Sequence, residues 1–382
     1  MRHTRSLAAL AVATLTLTSC SLGGGEDEPT TAPEAPATSS TGGDGSPTTS
    51  EEPAAVPPPE TSDPGTVTLV THDSFTLPDE LVAAFEEESG YQLELQSAGD
   101  AGELTNQLVL TKGSPVADVV FGIDTTFASR AVREGVLAAY TPADLPASAQ
   151  EHLLVGGETV LTPVDYGDVC VNVDDVWFAN RGLVPPETLE DLVEPDYEDL
   201  FVTPGATTSS PGMAFLLATV GYFGPGEWQG WWEELMANGA KVTSGWTDAY
   251  TVDFTAGGSD GDRPIVLSYA SSPPFTIPEG GFQPTTRALL DTCFRQVEYA
   301  GVLEGAVNPE GAQAVVDWLV SPQVQAVIPD TMFMYPVDDE VVLPELWAQW
   351  APLAEDPIVV HPGQIEAERE TWLREWADLA TG

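Results

Sequence analysis

The chain has 382 residues, 42% of them apolar, with 10 Trp, 9 Tyr and 13 Phe, enough to bury one large core or two medium ones. Twelve Lys and Arg against 60 Asp and Glu give a net charge of -48. A surface that acidic repels phosphate backbones and anionic head groups, which excludes nucleic acid as a partner. Neutral and cationic small ligands stay open, beside the plainer reading that the charge only keeps the chain solvated.

Arg2, His3 and Arg5 precede an uncharged stretch from Leu7 to Leu17, too short for a membrane span but built like a secretory leader. It ends in Leu17-Thr18-Ser19-Cys20, which resembles the lipobox of bacterial lipoproteins. Residues 1–19 are therefore expected to be a signal peptide, and Cys20 the lipidated residue. From Ser21 to Gly65 the chain is Pro, Thr, Ser, Gly, Ala and acid, without an aromatic or a basic residue. Such a stretch cannot bury enough apolar surface to order itself. With Cys20 it makes 20–66 a disordered tether, holding a domain roughly 35–40 Å from its anchor. The expected place of work is the outer face of the cell membrane. If Cys20 carries lipid, Cys170 and Cys293 remain in an exported chain, where a disulfide between them is favoured over two separate buried thiols.

The folded part alternates strand and helix. Val67–Val70 reads as a strand with Thr71-His72-Asp73-Ser74 as its exit loop. Leu81, Ala84 and Phe85 have helical spacing before a stop at Gly90, and Tyr91, Leu93 and Leu95 alternate as a strand. A helix after Ser97–Gly102, a strand over Val116–Phe121 ending in Gly122-Ile123-Asp124, and a helix from Phe127 follow. The pattern then repeats. Leu200–Thr203 is a strand, Thr207–Gly212 opens a helix to about Tyr222, and Lys241–Thr243 is a strand that leaves through Ser244-Gly245-Trp246. Thr247–Phe254 is a helix, and the strand Ile265–Ser268 exits through Tyr269-Ala270-Ser271-Ser272. The tail from Pro309 is helical, with Ala312, Val315, Val316 and Leu319 on one face and Trp372, Leu373 and Trp376 on another.

Such βα alternation predicts an α/β fold with mostly parallel sheets, in which ligands sit beyond the carboxyl ends of the strands. The exit loops place His72-Asp73-Ser74, Asp100, Asp124, the 207–210 hydroxyls, Trp246 and Tyr269–Ser272 on one rim. Catalytic signatures are missing from the sequence. It has no HExxH, CxxC pair, Walker loop or GxSxG elbow, and His72, His152 and His361 have no metal-binding spacing. We therefore expect a binding protein rather than an enzyme, without metal or cofactor.

Several motifs together resemble the thiamine-binding proteins of bacterial ABC importers. They are Thr71-His72-Asp73-Ser74-Phe75, Ala117–Asp124, Pro163-Val164-Asp165-Tyr166-Gly167 and Thr208-Ser209-Ser210-Pro211-Gly212. Thr243–Tyr250, Val266–Pro273 and Met334-Tyr335-Pro336-Val337 complete a set that spans nearly all of 67–382 in family order. The resemblance implies a two-lobed periplasmic-binding-protein fold of the class II type, with a hinge and a cleft between lobes. Lobe one would hold 67–165 plus about 300–382, and lobe two 166–299. Asp165–Val173 and Phe294–Val302 would be the crossings, with Cys170 and Cys293 beside them.

The same resemblance implies a monomer that captures thiamine or its phosphates as cargo and delivers it to an importer permease. Its contacts would be Asp100, Ala101, Ser209, Ser210, Trp246, Tyr269, Ala270, Ser271 and Ser272. His72 stands where the family shows a Tyr, and Phe275 and Phe333 where larger or more polar aromatics are usual. The chemistry is consistent: a thiazolium cation suits aromatic faces and carboxylates, and hydroxyls at a helix start suit a hydroxyl or phosphate. Asp124 and Asp165 fit a helix cap or a hinge hydrogen bond equally well, Trp246 an ordinary core position, and Tyr166 a hinge packing position. The alternatives are a same-fold protein for ferric iron or a polyamine, and a lipid-anchored hydrolase. Iron-binding relatives usually present adjacent tyrosines, which this chain lacks.

Overall fold

The structure is a computed structural model and describes residues 65–381. The expected leader, the lipidated Cys20 and almost all of the tether lie outside the described residues. The first half of the fold is built from β1 (Thr66–Thr71), α1 (Asp79–Ser89), β2 (Gln92–Ser97), α2 (Ala101–Leu110), β3 (Val119–Asp124) and α3 (Ala128–Glu134). β1 lies between β2 and β3, parallel to both. Val67, Leu69 and Val70 are accordingly buried, as a central parallel strand requires. Gly90 ends α1 at φ 78°, a left-handed cap that glycine adopts without Cβ strain. β3 begins later than the apolar run suggested. Asp118 instead caps two backbone N–H groups, accepting from Thr68 at 2.9 Å and Asn308 at 2.8 Å.

The chain crosses on β4 (Thr162–Asp174) into α4 (Asp175–Arg181), β5 (Phe201–Pro204), α5 (Ser210–Phe223), α6 (Trp228–Ala237), β6 (Lys241–Thr243) and β7 (Ile265–Tyr269). α5 is apolar all round and buried from Ser210 to Val220, so it is a core helix. Ser209 caps it, and Pro211 sits in its first turn as expected. The expected helix after Trp246 is a π-helical turn, Asp248–Asp253. β8 (Thr286–Ala288) and β9 (Phe294–Val302) lead back. α7 (Pro309–Leu319), α8 (Pro322–Gln325), α9 (Ile328–Thr331), β10 (Tyr335–Pro336), α10 (Glu345–Trp350) and α11 (Pro362–Thr381) follow. The α7 face Ala312, Val315, Val316 and Leu319 is buried as its spacing predicts.

One sheet runs through both halves in the order β2-β1-β3-β9-β4-β7-β5-β6. β4 and β9, antiparallel and central, therefore belong to both halves. A Cys170–Cys293 disulfide joins β4 to the residue before β9, with Cα atoms 4.2 Å apart. Arg295 of β9 grips Asp168 of β4 with two bonds, Nε to Oδ1 at 2.8 Å and Nη2 to Oδ2 at 2.9 Å. The Ala354 N–H adds a third bond to that carboxylate at 2.8 Å. The expected division grouped all of 300–382 with lobe one, whereas α11 packs on α6. Trp376 meets Trp232 edge-on at 5.7 Å, and Gln229 bonds Glu375 at 3.0 Å. The amphipathic face of α11 was visible in sequence; its partner was not.

Candidate functional site

The exits of β1, β2, β5, β6 and β7 converge on one cleft. His72, Ser74, Asp100, Ala101, Ser210, Trp246, Tyr269, Ser272, Phe275 and Phe333 line it, as do Pro211, Tyr250, Thr251, Glu298, Met332 and Met334. Two helix N-termini point here, those of α2 and α5, and both are engaged by one side chain. Asp100 Oδ1 accepts from the N–H groups of Ala101 at 2.7 Å and Ser210 at 2.9 Å, and Oδ2 from that of Trp246 at 3.1 Å. Burial raises the Asp100 pKa, and bonds from Ser210, Ser209, Trp246 and Ala101 work against the rise. Ala101 belongs to the first half and Ser210 and Trp246 to the second, so Asp100 clasps the two across the cleft. Glu103 N–H to the Thr208 carbonyl, at 3.2 Å, reinforces the closure.

Trp246 is half-buried and built into the wall. Its indole N–H donates to Ser268 at 2.9 Å, Ser268 shares a 2.7 Å hydrogen bond with Ser272, and its ring stacks on Tyr250 at 5.1 Å. Tyr269 stands edge-on at 6.4 Å. Across the mouth, Phe275 meets Phe333 edge-on at 5.3 Å. Phe333 holds a left-handed φ of 55°, a costly conformation for an aromatic residue and one that clusters at ligand clamps.

The floor consists of strands. Asp124 of β3 and Asp165 of β4 are both register partners of Glu298 in β9, so three acids stand in one row across adjacent strands. His72 leans over them, its Nε2 3.6 Å from Glu298 and its Nδ1 accepting from the Ser74 N–H at 3.2 Å. This packing needs Gly122, because a Cβ there would lie 2.1 Å from the His72 ring. Burial alone would lower the His72 pKa; Glu298, then Asp100 and Asp73, outweigh it and leave it raised. Burial pushes Glu298 upward, but His72 and Asp165 leave it net lowered and ionised. Burial and the Glu298 charge hold Asp165 well above the carboxylate range, so this pair carries one charge. Burial, followed by the neighbouring acids, likewise keeps the Tyr269 phenol protonated.

Not every expected contact reaches the cleft. Ser209 is buried beneath the rim as the cap of α5. Ala270 faces the disulfide and lines a separate depression with Arg287 and Asp175. Ser271 is buried and does not line the cleft. Asp124 is a loop cap: its Oδ1 accepts from the Thr126 N–H and hydroxyl at 2.6 Å each and from the Phe127 N–H at 3.1 Å. Burial raises its pKa to about 7. Ser74 lines the cleft with its exit loop, as expected, whereas Glu298, Tyr250 and the two methionines escaped the sequence reading. One signal was present for Glu298, a lone acid inside the apolar run Val297-Glu298-Tyr299-Ala300, where a charge is buried only for a reason. Among the described residues no group of three or more His, Cys, Asp or Glu is placed to hold a metal ion.

Residues 71–326 match the family described as bacterial extracellular solute-binding protein. The thiamine-binding periplasmic protein of Salmonella typhimurium is 32% identical over 320 residues, which cover 81% of this chain and 92% of that protein. A solved structure described as a periplasmic thiamin binding protein aligns with a TM-score of 0.73 at 28% identity, covering 86% of this chain and 99% of its own. Iron-bound HitA from Pseudomonas aeruginosa, at 20% identity and a TM-score of 0.64, covers 81% of this chain and 99% of its own, a likeness of fold alone.

Proposed function

Since the chain belongs to the bacterial extracellular solute-binding protein family, we propose that it captures thiamine or its phosphates outside the cytoplasm and delivers the cargo to an ABC importer. The observation that carries this reading is the lining of the cleft. Aromatic faces and two carboxylates surround it, and none of its lining residues is Lys or Arg. A permanent thiazolium charge suits such walls, and a ring such as Trp246 or Tyr269 supplies ~0.5–2 kcal/mol by cation–π contact. The Ser210 hydroxyl is buried at the start of α5 and has no hydrogen-bond partner among the described residues, which suits the hydroxyethyl arm of the ligand. The relatives named for thiamine at similar length support the same cargo.

The tethered form of this reading has the protein held at the membrane by lipid on Cys20 and working as a monomer. Mass analysis of the exported protein, showing a diacylglycerol adduct on Cys20, supports the anchor; an unmodified N-terminus beyond residue 20 rejects it. For the cargo, calorimetry with thiamine should show one site per chain, accompanied by a change in tryptophan fluorescence. Trp246→Ala should weaken that binding by roughly 1–3 kcal/mol. No heat at millimolar thiamine overturns the cargo assignment.

A further inference from the structure

The cleft contains two acidic side chains, and sequence alone favours Asp100 as the partner of a cationic ligand. The geometry reverses that choice. Both Asp100 oxygens are already committed to backbone N–H groups, at 2.7, 2.9 and 3.1 Å. Its negative charge is thereby neutralised by the N-terminal dipoles of α2 and α5, and little field is left for a ligand. Glu298 has a different set of neighbours. Among the described residues its one side-chain hydrogen bond comes from the Gln296 amide at 3.4 Å, and it pairs with the His72 ring at 3.6 Å without a hydrogen bond. It is held on a central strand between β3 and β4, 5% exposed, and that remaining exposure opens into the cleft.

We propose that Glu298, rather than Asp100, is the carboxylate that meets the positive charge of the ligand and sets the preference for cations. The proposal rests on the thiamine reading above. A buried carboxylate with so little hydrogen bonding is costly, and an opposite charge placed against it offsets that cost. Gln296 also donates to the Tyr269 hydroxyl at 3.2 Å, so the acid and the aromatic wall are oriented by one amide. The charge therefore sits on a central strand held between β3 and β4, beneath the loops of the rim.

The test compares affinities of wild type and Glu298→Gln for three probes. These are thiamine, a neutral analogue carrying an uncharged aromatic ring in place of the thiazolium, and an N-alkylpyridinium salt as a minimal cation. The expected result is a loss of roughly thirtyfold or more for thiamine, with less than about a threefold change for the neutral analogue. An equal loss on both, or none on either, overturns the proposal. In wild type alone, thiamine should bind at least roughly tenfold more tightly than the neutral analogue; parity overturns the proposal even if the variant does not fold. A wild type that binds the pyridinium but not thiamine refutes the cargo reading, and the Glu298 comparison is then read on the pyridinium. A wild type that binds neither cation overturns both.

Discussion

At the rim of the cleft, Asp100 accepts three N–H bonds drawn from two halves of the chain; on the floor, Glu298 receives one long amide contact and faces His72 across 3.6 Å. Both are buried carboxylates a few residues' breadth from the same empty space, and chemically they differ by one methylene. Their neighbours give them different tasks. The rim acid sits among loop exits and helix starts, where a charge that binds N–H groups holds separate segments together. The floor acid sits in a strand register that cannot shift by one residue without turning every side chain over, so its position is fixed before any ligand arrives. A single cleft thus separates closing from recognising.

The largest effect expected is on the part that underlies both regions. Removing the Cys170–Cys293 bridge, by reduction or by paired Cys→Ala substitution, opens a loop of 123 residues' separation and should cost up to about 4–5 kcal/mol of stability. Guanidinium unfolding measures it, and a cost below about 1 kcal/mol would refute the loop-entropy account. Next comes the rim. Asp100→Ala leaves three N–H groups without their shared acceptor and should weaken charged and neutral ligands alike, by roughly 1.5–3 kcal/mol. X-ray scattering should show a more open molecule; a loss confined to cationic ligands would instead make Asp100 the recognising acid. A third effect, read against pH, lies at the edge of the floor. Asp124 has a folded pKa raised from 3.8 to about 7, so the folded state holds a proton that the unfolded state releases. Its contribution is intact below about pH 4 and fades as the pH rises toward 7. Asp124→Asn keeps the Oδ1 acceptor and removes the titration. Its melting temperature relative to wild type should therefore climb between pH 4 and 7, and a flat difference would show that the group does not titrate there.

Much of this arrangement was readable from the chain. Local rules give the βα alternation, Pro211 in the first turn of α5, the Gly90 stop and the polar exits, because each depends on neighbours within a few residues. Where those rules stop, the expectations went astray. Asp100 meets Ser210 and Trp246, which are 110 and 146 positions away, and no local pattern discloses that its charge is already in use. Glu298 hides in an apolar run because its importance comes from register with Asp124 and Asp165 on two other strands. Ala270 and Ser271 were taken with Tyr269 and Ser272 as one loop, but the turn aims only Tyr269 and Ser272 at the cleft. Trp372 and Trp376 displayed an apolar face without naming α6 as its cover.

The shared central strands also dictate an order of assembly. β3 is buried along its whole length, from Val119 to Asp124, and its outer neighbour is β9, in the pairing Val119↔Val302. As the chain emerges from its N-terminus, β1, β2 and β3 are complete long before β9 exists, so the first half presents an unpaired apolar edge throughout synthesis of the second. Pairings of such long sequence separation form slowly, and exposed edges invite association with other chains. Export in an unfolded state, with folding left until the whole chain has crossed, removes that interval. The topology thus favours a protein that folds after delivery rather than during synthesis.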